Sequence, residues 1–302
     1  EIILRPYQFC NLSEVVVRAT DTKQDLERKV RLATILGTYQ STMTHFPYLR
    51  KVWQKNTEAE RLLGVSLTGI LDNKLMGETS DKTKAMLERL RDISVDTNLL
   101  LSTELNIPVS AAITCIKPSG TVSQLVDSAS GIHTRHSKYY VRRVRGDKKD
   151  PLSTFMTDQG IPSEDCVLRP ESTTVFSFPK KSPDGALLRE DITAIEHLEL
   201  WLMYQKHWCE HKPSVTISVE EHEWPEVGSW IWKNFDDVSG VSFLPYDGGT
   251  YKQAPYEECT QEEYKELLHK MPKSIEWNSL IEIDDNVEGA QTLACTAGAC
   301  EI

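Results

Sequence analysis

Short apolar segments rich in β-branched residues alternate with longer amphipathic stretches along most of the chain. Short apolar runs bounded by glycine or proline are typical of buried strands, and apolar residues every three or four positions are typical of helices. This alternation predicts an α/β fold with largely parallel strands and surrounding helices. The predicted strands are residues 9–17, 64–71 (a strand or a tight turn), 111–116, 139–145, 173–178, 213–219 and 241–246. The predicted helices are two within residues 21–63 and one each in residues 81–106, 191–211 and 220–235.

The section between residues 146 and 191 contains five prolines and reads as loop-rich, but no clean linker divides the chain. We therefore expect one domain with excursions over residues 1–285. Residues 286–302 consist largely of small residues that cannot bury a core, and this predicts a flexible tail. In the helix at 191–211, the apolar and tryptophan-bearing stripe is interpreted as core.

Residues 118–123, Pro-Ser-Gly-Thr-Val-Ser, directly follow the predicted strand at 111–116. Pro118 cannot donate to a ladder, so the strand should end there. The small residues after it offer hydroxyls and unhindered N–H groups where a helix can begin, and such a turn attracts anions. The alternative is an ordinary connection with a Ser or Thr helix cap, because the segment lacks the G-x-x-x-x-G-K-[ST] phosphate loop.

The net charge is −11 over 302 residues, which argues against broad binding to a nucleic-acid backbone. This net charge is compatible with binding of a small anionic ligand if positive groups lie close to its binding site. No apolar run is long enough for a membrane span and no signal pattern opens the chain, so the prediction is a cytoplasmic protein without membrane or stable nucleic-acid partners.

Because the chain begins with Glu1 and not with Met, we interpret it as a fragment of a longer polypeptide. The basic residues of strand 139–145 are interpreted as a solvated edge rather than a ligand site.

Seven scattered cysteines do not suit a secreted disulfide framework. Cys295 and Cys300 lie in the small-residue tail, where two thiols can close a disulfide and exchange it with another. The alternative, half of a zinc site, lacks a matching pair nearby. Cys10 alone reads as packing, but it lies at a strand mouth and is the best candidate for reduction by the tail pair. His207 and His211 lack an evident third ligand, so no metal site is predicted.

Six segments of the chain carry a family resemblance. They are Glu1 with Cys10-Asn11-Leu12, residues 56–65, 118–125, 244–249 and 253–256, and the Cys295/Cys300 pair. Together they resemble ribonucleotide reductases, most closely the monomeric, adenosylcobalamin-dependent class II ribonucleoside-triphosphate reductases. The resemblance runs over essentially the whole chain and is far more specific than any one motif. It implies that the chain is similar to the C-terminal half of the catalytic subunit, with residues 1–285 forming that half of a ten-stranded α/β barrel.

The resemblance also implies roles for individual residues. Glu1 matches a glutamate that acts as general base, two residues after the family's thiyl-radical cysteine, which would precede this chain. Cys10 is similar to one of two active-site thiols that reduce the ribose, with its partner in the absent N-terminal half. Cys295 and Cys300 resemble the tail pair that is recharged by thioredoxin or a similar donor. The residues that match the substrate-phosphate loop are Pro118, Ser119, Gly120, Thr121, Val122 and Ser123.

The implied cofactor is adenosylcobalamin, the implied substrate is a ribonucleoside triphosphate, and the implied partner is the missing N-terminal half. Lys117 would supply a local positive charge beside the phosphate loop. Activity of the fragment alone is not expected. Two alternatives remain, namely a fragment of a class I large subunit and a non-enzymatic nucleotide-binding or redox module.

Overall fold

The structure is a computed structural model that describes residues 1–246 and 252–281, and the backbone alone of 295–296 and 299–300. The chain forms two compact units, one of residues 1–135 and 184–246, the other containing residues 136–183 and 252–281. In these described parts, no helix combines the length and apolar character needed to cross a membrane.

The helices and strands are numbered in chain order. The helices are α1 Lys23–Gln40, α2 Lys51–Glu60, α3 Asp81–Glu104, α4 Val122–Leu125, α5 Pro151–Asp158, α6 Ala194–His207, α7 Trp224–Lys233 and α8 Gln261–Lys270. The strands are β1 Asn11–Val16, β2 Leu63–Thr68, β3 Tyr139–Asp147, β4 Ser163–Asp165, β5 Thr173–Lys181, β6 Ser214–Val219, β7 Gly240–Pro245, β8 Tyr256–Glu258, β9 Cys295–Thr296 and β10 Ala299–Cys300.

The first unit contains a series of parallel strand pairs. Strand β1 pairs with β2, and β6 pairs with β7, in both cases in parallel. Single parallel bridges from Val65 to Thr114 and from Ile116 to Pro213 join the two pairs through the segment between them. Five neighbouring extended segments therefore run in one direction, which agrees with the predicted α/β pattern.

The segment 111–116 was expected to be a regular strand and makes only isolated bridges. The reason is that Thr114 is shared with the loop after α6. Its Oγ1 donates to Trp208 O at 2.5 Å, and its carbonyl accepts from the N–H groups of Glu210 and His211. These bonds to a loop distant in sequence use Thr114 groups that would otherwise be available to a ladder.

The apolar face of this sheet packs on helices α1, α3 and α6. Val15, Leu67 and Ile217 are buried there together with Leu90 of α3 and Trp201 of α6. The predicted tryptophan stripe is confirmed as core, since Trp201 and Trp208 are fully buried. Burial of side chains of this size contributes about 1.5–3 kcal/mol each, so this face anchors the unit.

Helix α1 begins with a capping box. Thr22 is the N-cap, and it forms the box with Asp25. Asp21 pairs with Lys29 at 2.5 Å. A second capping box, between Thr193 and Glu196, starts α6.

The second unit contains a four-stranded antiparallel sheet in the order β4-β5-β3-β8. The expectation of largely parallel strands does not extend to this unit. Strands β3 and β5 pair along their whole lengths, from Tyr139 opposite Lys181 to Asp147 opposite Thr173. The chain between them, residues 148–172, reverses direction instead of crossing over, which makes the pair antiparallel.

The basic residues of β3 are structural rather than a solvated edge. Arg142, Arg143 and Arg145 donate to the carbonyl oxygens of Pro255, Ala254 and Gln253, respectively. These half-buried side chains therefore hold residues 253–255 against the sheet, where charged donors make stronger hydrogen bonds than neutral ones.

The predicted tail lies almost wholly outside the described residues. Its predicted boundary at residue 286 is among those not described, as are the side chains of Cys295 and Cys300. Their backbone belongs to the short antiparallel pair β9 and β10, in which Cys295 is opposite Cys300. Its flexibility stays a prediction.

Candidate active site

Glu1 is held at the edge of the parallel segments by backbone and side-chain contacts. Its carbonyl accepts from Lys212 N–H at 2.9 Å, and Ile3 N–H donates to His211 Nδ1 at 3.3 Å. His211 Nε2 lies 2.7 Å from Leu63 O, so Nε2 carries the proton and donates. Burial lowers the pKa of His211, which keeps the imidazole neutral in this position.

The Glu1 carboxylate faces a lysine that directly precedes the small-residue turn. Glu1 Oε2 lies 3.7 Å from Lys117 Nζ. The backbone N–H of Lys117 donates to Ser66 Oγ at 2.9 Å, which fixes the start of the turn against β2. The half-exposed lysine thus places a positive charge beside the Glu1 carboxylate.

Cys10 lies immediately before β1 and against β2. An added Cβ at Gly64 would lie 3.3 Å from Cys10 Sγ and 2.4 Å from Leu12 Cδ2, so the missing side chain of Gly64 makes room for both. Burial raises the pKa of Cys10 to about 12, while the nearby Lys117 opposes this shift. Cys10 is therefore a protonated thiol at neutral pH, able to give up a proton and later electrons.

A second thiol occupies the same face of the sheet. In the register, Gly64 pairs with Leu12 and Ser66 with Glu14, and the bridge from Val65 to Thr114 brings Cys115 beside Ser66. Cys115 is fully buried, and burial, followed by the nearby Cys10 and Glu1, raises its pKa to about 12. The face opposite the apolar core therefore carries sulfur, carboxyl and hydroxyl groups.

The turn at residues 118–123 is tied down by the side chains of Ser119 and its neighbours. Ser119 Oγ donates to Glu14 Oε2 at 2.9 Å and accepts from Ser123 N–H at 3.2 Å. Ser119 N–H donates to Ser130 Oγ at 2.8 Å. Burial raises the pKa of Glu14, against the opposing effects of Ser119 and Lys117. The turn therefore has a defined shape before any ligand arrives.

The exposed tip of the turn keeps unpaired donors. Within the part of the chain that the structure describes, the N–H groups of Gly120, Thr121 and Val122 make no hydrogen bond to protein. These three residues are exposed, whereas Ser119 and Ser123 are buried. Successive free N–H groups in a turn form a concave site that suits an anion.

Comparison with known proteins places this arrangement in context. No family model matches the chain. An adenosylcobalamin-dependent ribonucleoside-triphosphate reductase of Euglena gracilis is 30% identical over 98% of this chain and 40% of that protein. One of Lactobacillus gasseri is 28% identical over 100% of this chain and 44% of that protein. The chain is a relative of these reductases.

The solved structures agree on the fold. The crystal structure of a B12-dependent, class II ribonucleotide reductase matches with a TM-score of 0.77 at 24% identity, covering 91% of this chain and 42% of that chain. The sequence similarity reported above, together with this match in fold, confirms the resemblance seen in the sequence motifs. The chain spans less than half the length of the reductases it matches.

The structure brings some of the reductase-like residues together. Glu1 and Cys10 lie around Lys117, and residues 118–123 follow directly along the chain. The side chains of Cys295 and Cys300 are outside the described residues, so their predicted role stays a prediction.

Three partners of this site escaped sequence reasoning, namely Glu14, Ser66 and Cys115. Alternation along the strands carried the signal for two of them, because Glu14 falls on the same strand face as Leu12, and Ser66 on the same face as Gly64. Cys115 could have been recognised once the segment before Pro118 was placed beside β2.

The histidine pair considered for a metal has other roles. His207 Nδ1 lies 2.8 Å from Glu88 Oε1 on α3, while His211 bonds to Leu63 O. Among the described residues, no group of three His, Cys, Asp or Glu side chains is arranged to hold a metal ion.

Proposed function

We propose that this chain is the C-terminal part of the catalytic subunit of an adenosylcobalamin-dependent ribonucleoside-triphosphate reductase. The observation that carries the proposal is the meeting of Glu1 and Lys117, 3.7 Å apart, with the Cys10 thiol nearby and an anion-suited turn directly after Lys117. Sequence similarity over the whole chain supports it. The five parallel segments would form half of a ten-stranded barrel, completed by the N-terminal part of the enzyme.

In this proposal Glu1 acts as general base. Hydrogen abstraction from the ribose 3′ carbon, by a cysteine that would precede this chain, makes the 3′-hydroxyl proton easier to remove, and the Glu1 carboxylate accepts it. The Lys117 ammonium group lies 3.7 Å from this carboxylate.

Cys10 supplies a proton and part of the reducing power. The 2′-hydroxyl leaves as water, and Cys10 together with a second thiol from the N-terminal part gives up two protons and two electrons as the pair becomes a disulfide. The net reaction is ribonucleoside triphosphate plus two thiols giving deoxyribonucleoside triphosphate, a disulfide and water. The raised pKa of Cys10, about 12, suits a thiol that must remain protonated until that step.

The turn at residues 118–123 would bind the substrate phosphates. The free N–H groups of Gly120, Thr121 and Val122 would donate to phosphate oxygens, and Lys117 would add a positive charge. This local arrangement can hold an anion although the chain carries a net charge of −11.

Adenosylcobalamin, which the relatives' names specify, is the proposed cofactor of the complete enzyme, where it would initiate the radical chemistry. Three of the described histidines, His133, His197 and His211, are buried and bonded to backbone groups. We therefore assign none of these residues to the cofactor. The class I alternative is not favoured, since the relatives reported above are cobalamin-dependent.

The tail pair Cys295 and Cys300 would re-reduce the active-site disulfide by thiolate exchange and would be recharged by thioredoxin or a similar donor. This exchange requires a reducing compartment, which is consistent with a cytoplasmic enzyme.

Anaerobic CTP reduction by this chain mixed with an N-terminal half supplied from a reductase relative, with adenosylcobalamin, tests the proposal. Cys10→Ser should abolish turnover with dithiothreitol or with thioredoxin. The double variant Cys295→Ser/Cys300→Ser should fail only with thioredoxin. Cys259→Ser is the matched control and should behave as wild type. Turnover that persists in Cys10→Ser, or that ignores the cobalamin, would contradict the proposal.

A further inference from the structure

Glu14 touches the turn that would hold the substrate phosphates, although a carboxylate would repel a phosphate. Its Oε2 lies 2.9 Å from Ser119 Oγ, which is the donor in this bond. The side chain comes from β1, far from the turn in sequence, and is half-buried on the polar face of the sheet. A carboxyl group in this position needs a physical reason.

The hydroxyl of Ser119 has only one proton to donate. Ser119 uses that proton in its hydrogen bond to Glu14. The lone pairs of the hydroxyl oxygen therefore face the chain, and the oxygen accepts from Ser123 N–H at 3.2 Å. The N–H of Ser119 is occupied as well, by Ser130 Oγ at 2.8 Å. Ser119 therefore cannot offer a donor to a ligand without breaking this arrangement.

The donors that remain belong to the tip of the turn. Ser123 N–H is shared between the carbonyl and the hydroxyl of Ser119, at 3.1 and 3.2 Å. Gly120, Thr121 and Val122 are exposed, and their N–H groups have no protein acceptor within the described ranges. The contacts thus divide the segment 118–123 into residues that shape the turn and residues that can face an anion.

We infer that Glu14 is a positioning residue that orients the Ser119 hydroxyl, and that Ser119 and Ser123 shape the turn while the N–H groups of Gly120, Thr121 and Val122 receive the phosphates. This inference rests on the proposed function for the identity of the anion. Glu14 acts through Ser119 and makes no contact with substrate. Burial raises the pKa of Glu14, while the hydrogen bond from Ser119 and the charge of Lys117 oppose this shift.

Amide hydrogen exchange, read by NMR on the full chain without ligand, tests the positioning role. In Glu14→Ala the amide of Ser123 should exchange about 3- to 10-fold faster than in wild type, the effect of weakening one hydrogen bond. Glu14→Gln keeps an acceptor oxygen and should restore protection, which a general loss of packing would not explain. Glu164→Ala, on an exposed position of β4, is the matched control. Unchanged exchange at Ser123 in Glu14→Ala would overturn the inference.

Inorganic tripolyphosphate is the probe for the second half of the inference. In wild type it should slow exchange at residues 120–122 and leave Ser123 unchanged, and its affinity should fall about 3- to 10-fold in Glu14→Ala but not in Glu14→Gln. Equal affinity in Glu14→Ala and wild type would overturn the inference. If wild type binds no tripolyphosphate, the proposed phosphate site fails, and exchange at Ser123 alone then decides whether Glu14 orders the turn.

Discussion

Glu1 Oε2 lies 3.7 Å from Lys117 Nζ, although β1 and β2 lie between the two residues in the sequence. The two side chains meet because Glu1 O is bound by Lys212 N–H, while Lys117 N–H is bound by Ser66 Oγ of β2. The Glu1 carboxylate and the Cys10 thiol therefore lie near Lys117, which ends an extended segment and directly precedes the turn at residues 118–123.

Removing the lysine charge should make Cys10 less reactive. Lys117 lowers the pKa of Cys10 against the effect of burial, so Lys117→Gln should raise that pKa further. We expect alkylation of Cys10 by iodoacetamide at pH 9 to slow by about two- to threefold, measured by peptide mass spectrometry. Lys82→Gln, an exposed change on α3, is the control and should not alter the rate. Faster alkylation in Lys117→Gln would contradict this electrostatic assignment.

Gly64 should be intolerant of even one methyl group. An alanine Cβ would approach Leu12 Cδ2 to 2.4 Å and Cys10 Sγ to 3.3 Å. We expect Gly64→Ala to lower the free energy of unfolding by about 1–3 kcal/mol in urea titrations. The matched control is Gly228→Ala in α7, where the added Cβ meets no atom within 4 Å. That change should stabilise the helix by about 0.5–1 kcal/mol, and equal losses in both variants would refute the steric explanation.

The sequence predicted the elements whose cause is local. Helix α3 carries a regular apolar stripe and a Ser80 cap, and β6 alternates buried and half-buried residues, so both were found. The segment at 111–116 was not described correctly, because Thr114 is bound by the distant loop after α6. The antiparallel sheet was missed because strand direction depends on how residues 148–172 return the chain.

The candidate site was predictable to a similar extent. Motif resemblance identified Glu1, Cys10 and residues 118–123, since these lie in contiguous segments. The contact of Glu14 with Ser119 joins residues that are far apart in sequence, and only the strand register reveals it. Pairwise contacts of this kind carry no local signal.

The buried imidazole of His133 should make the free energy of unfolding depend on pH. Burial and the neighbouring His197 lower the pKa of His133 to about 4, and His133 Nε2 accepts from Thr216 N–H at 3.0 Å. The pKa of His133 in the folded chain lies below the unfolded value of about 6.5. The stability that neutral His133 contributes is therefore present above pH 6.5 and is lost as the pH falls towards 4.

Urea unfolding at pH 7 and pH 5 measures this effect. Between pH 7 and pH 5, protonation of His133 should lower the free energy of unfolding of the wild type by on the order of 2 kcal/mol. The free energy of unfolding of His133→Gln should fall correspondingly less. His45→Gln, at an exposed position, serves as the control and should follow wild type. The same pH dependence in His133→Gln as in wild type would show that His133 is not the responsible group.

The buried ion pair between Asp72 and Arg135 should be essential to the first unit. Arg135 Nε and Nη2 donate to the two carboxylate oxygens of Asp72 at 2.8 and 2.7 Å, and both side chains are almost fully buried. Asp72→Asn should cost about 3–5 kcal/mol of unfolding free energy, because the buried guanidinium loses its two-point carboxylate partner and keeps the more distant, exposed Asp127 at 3.5 Å. Asp81→Asn breaks the exposed pair with Lys84 and should cost less than about 1 kcal/mol. A small loss for Asp72→Asn would disprove this role.

The most direct measurement is a single turnover without external reductant. The fully reduced chain, combined with an N-terminal half from a reductase relative and adenosylcobalamin, is given CTP anaerobically, and its free thiols are then mapped by alkylation in the variant Cys295→Ser/Cys300→Ser. The proposed function predicts that deoxycytidine triphosphate forms and that Cys10 becomes protected in equal amount, within a disulfide to the N-terminal half. Product formation with Cys10 still free would contradict the account.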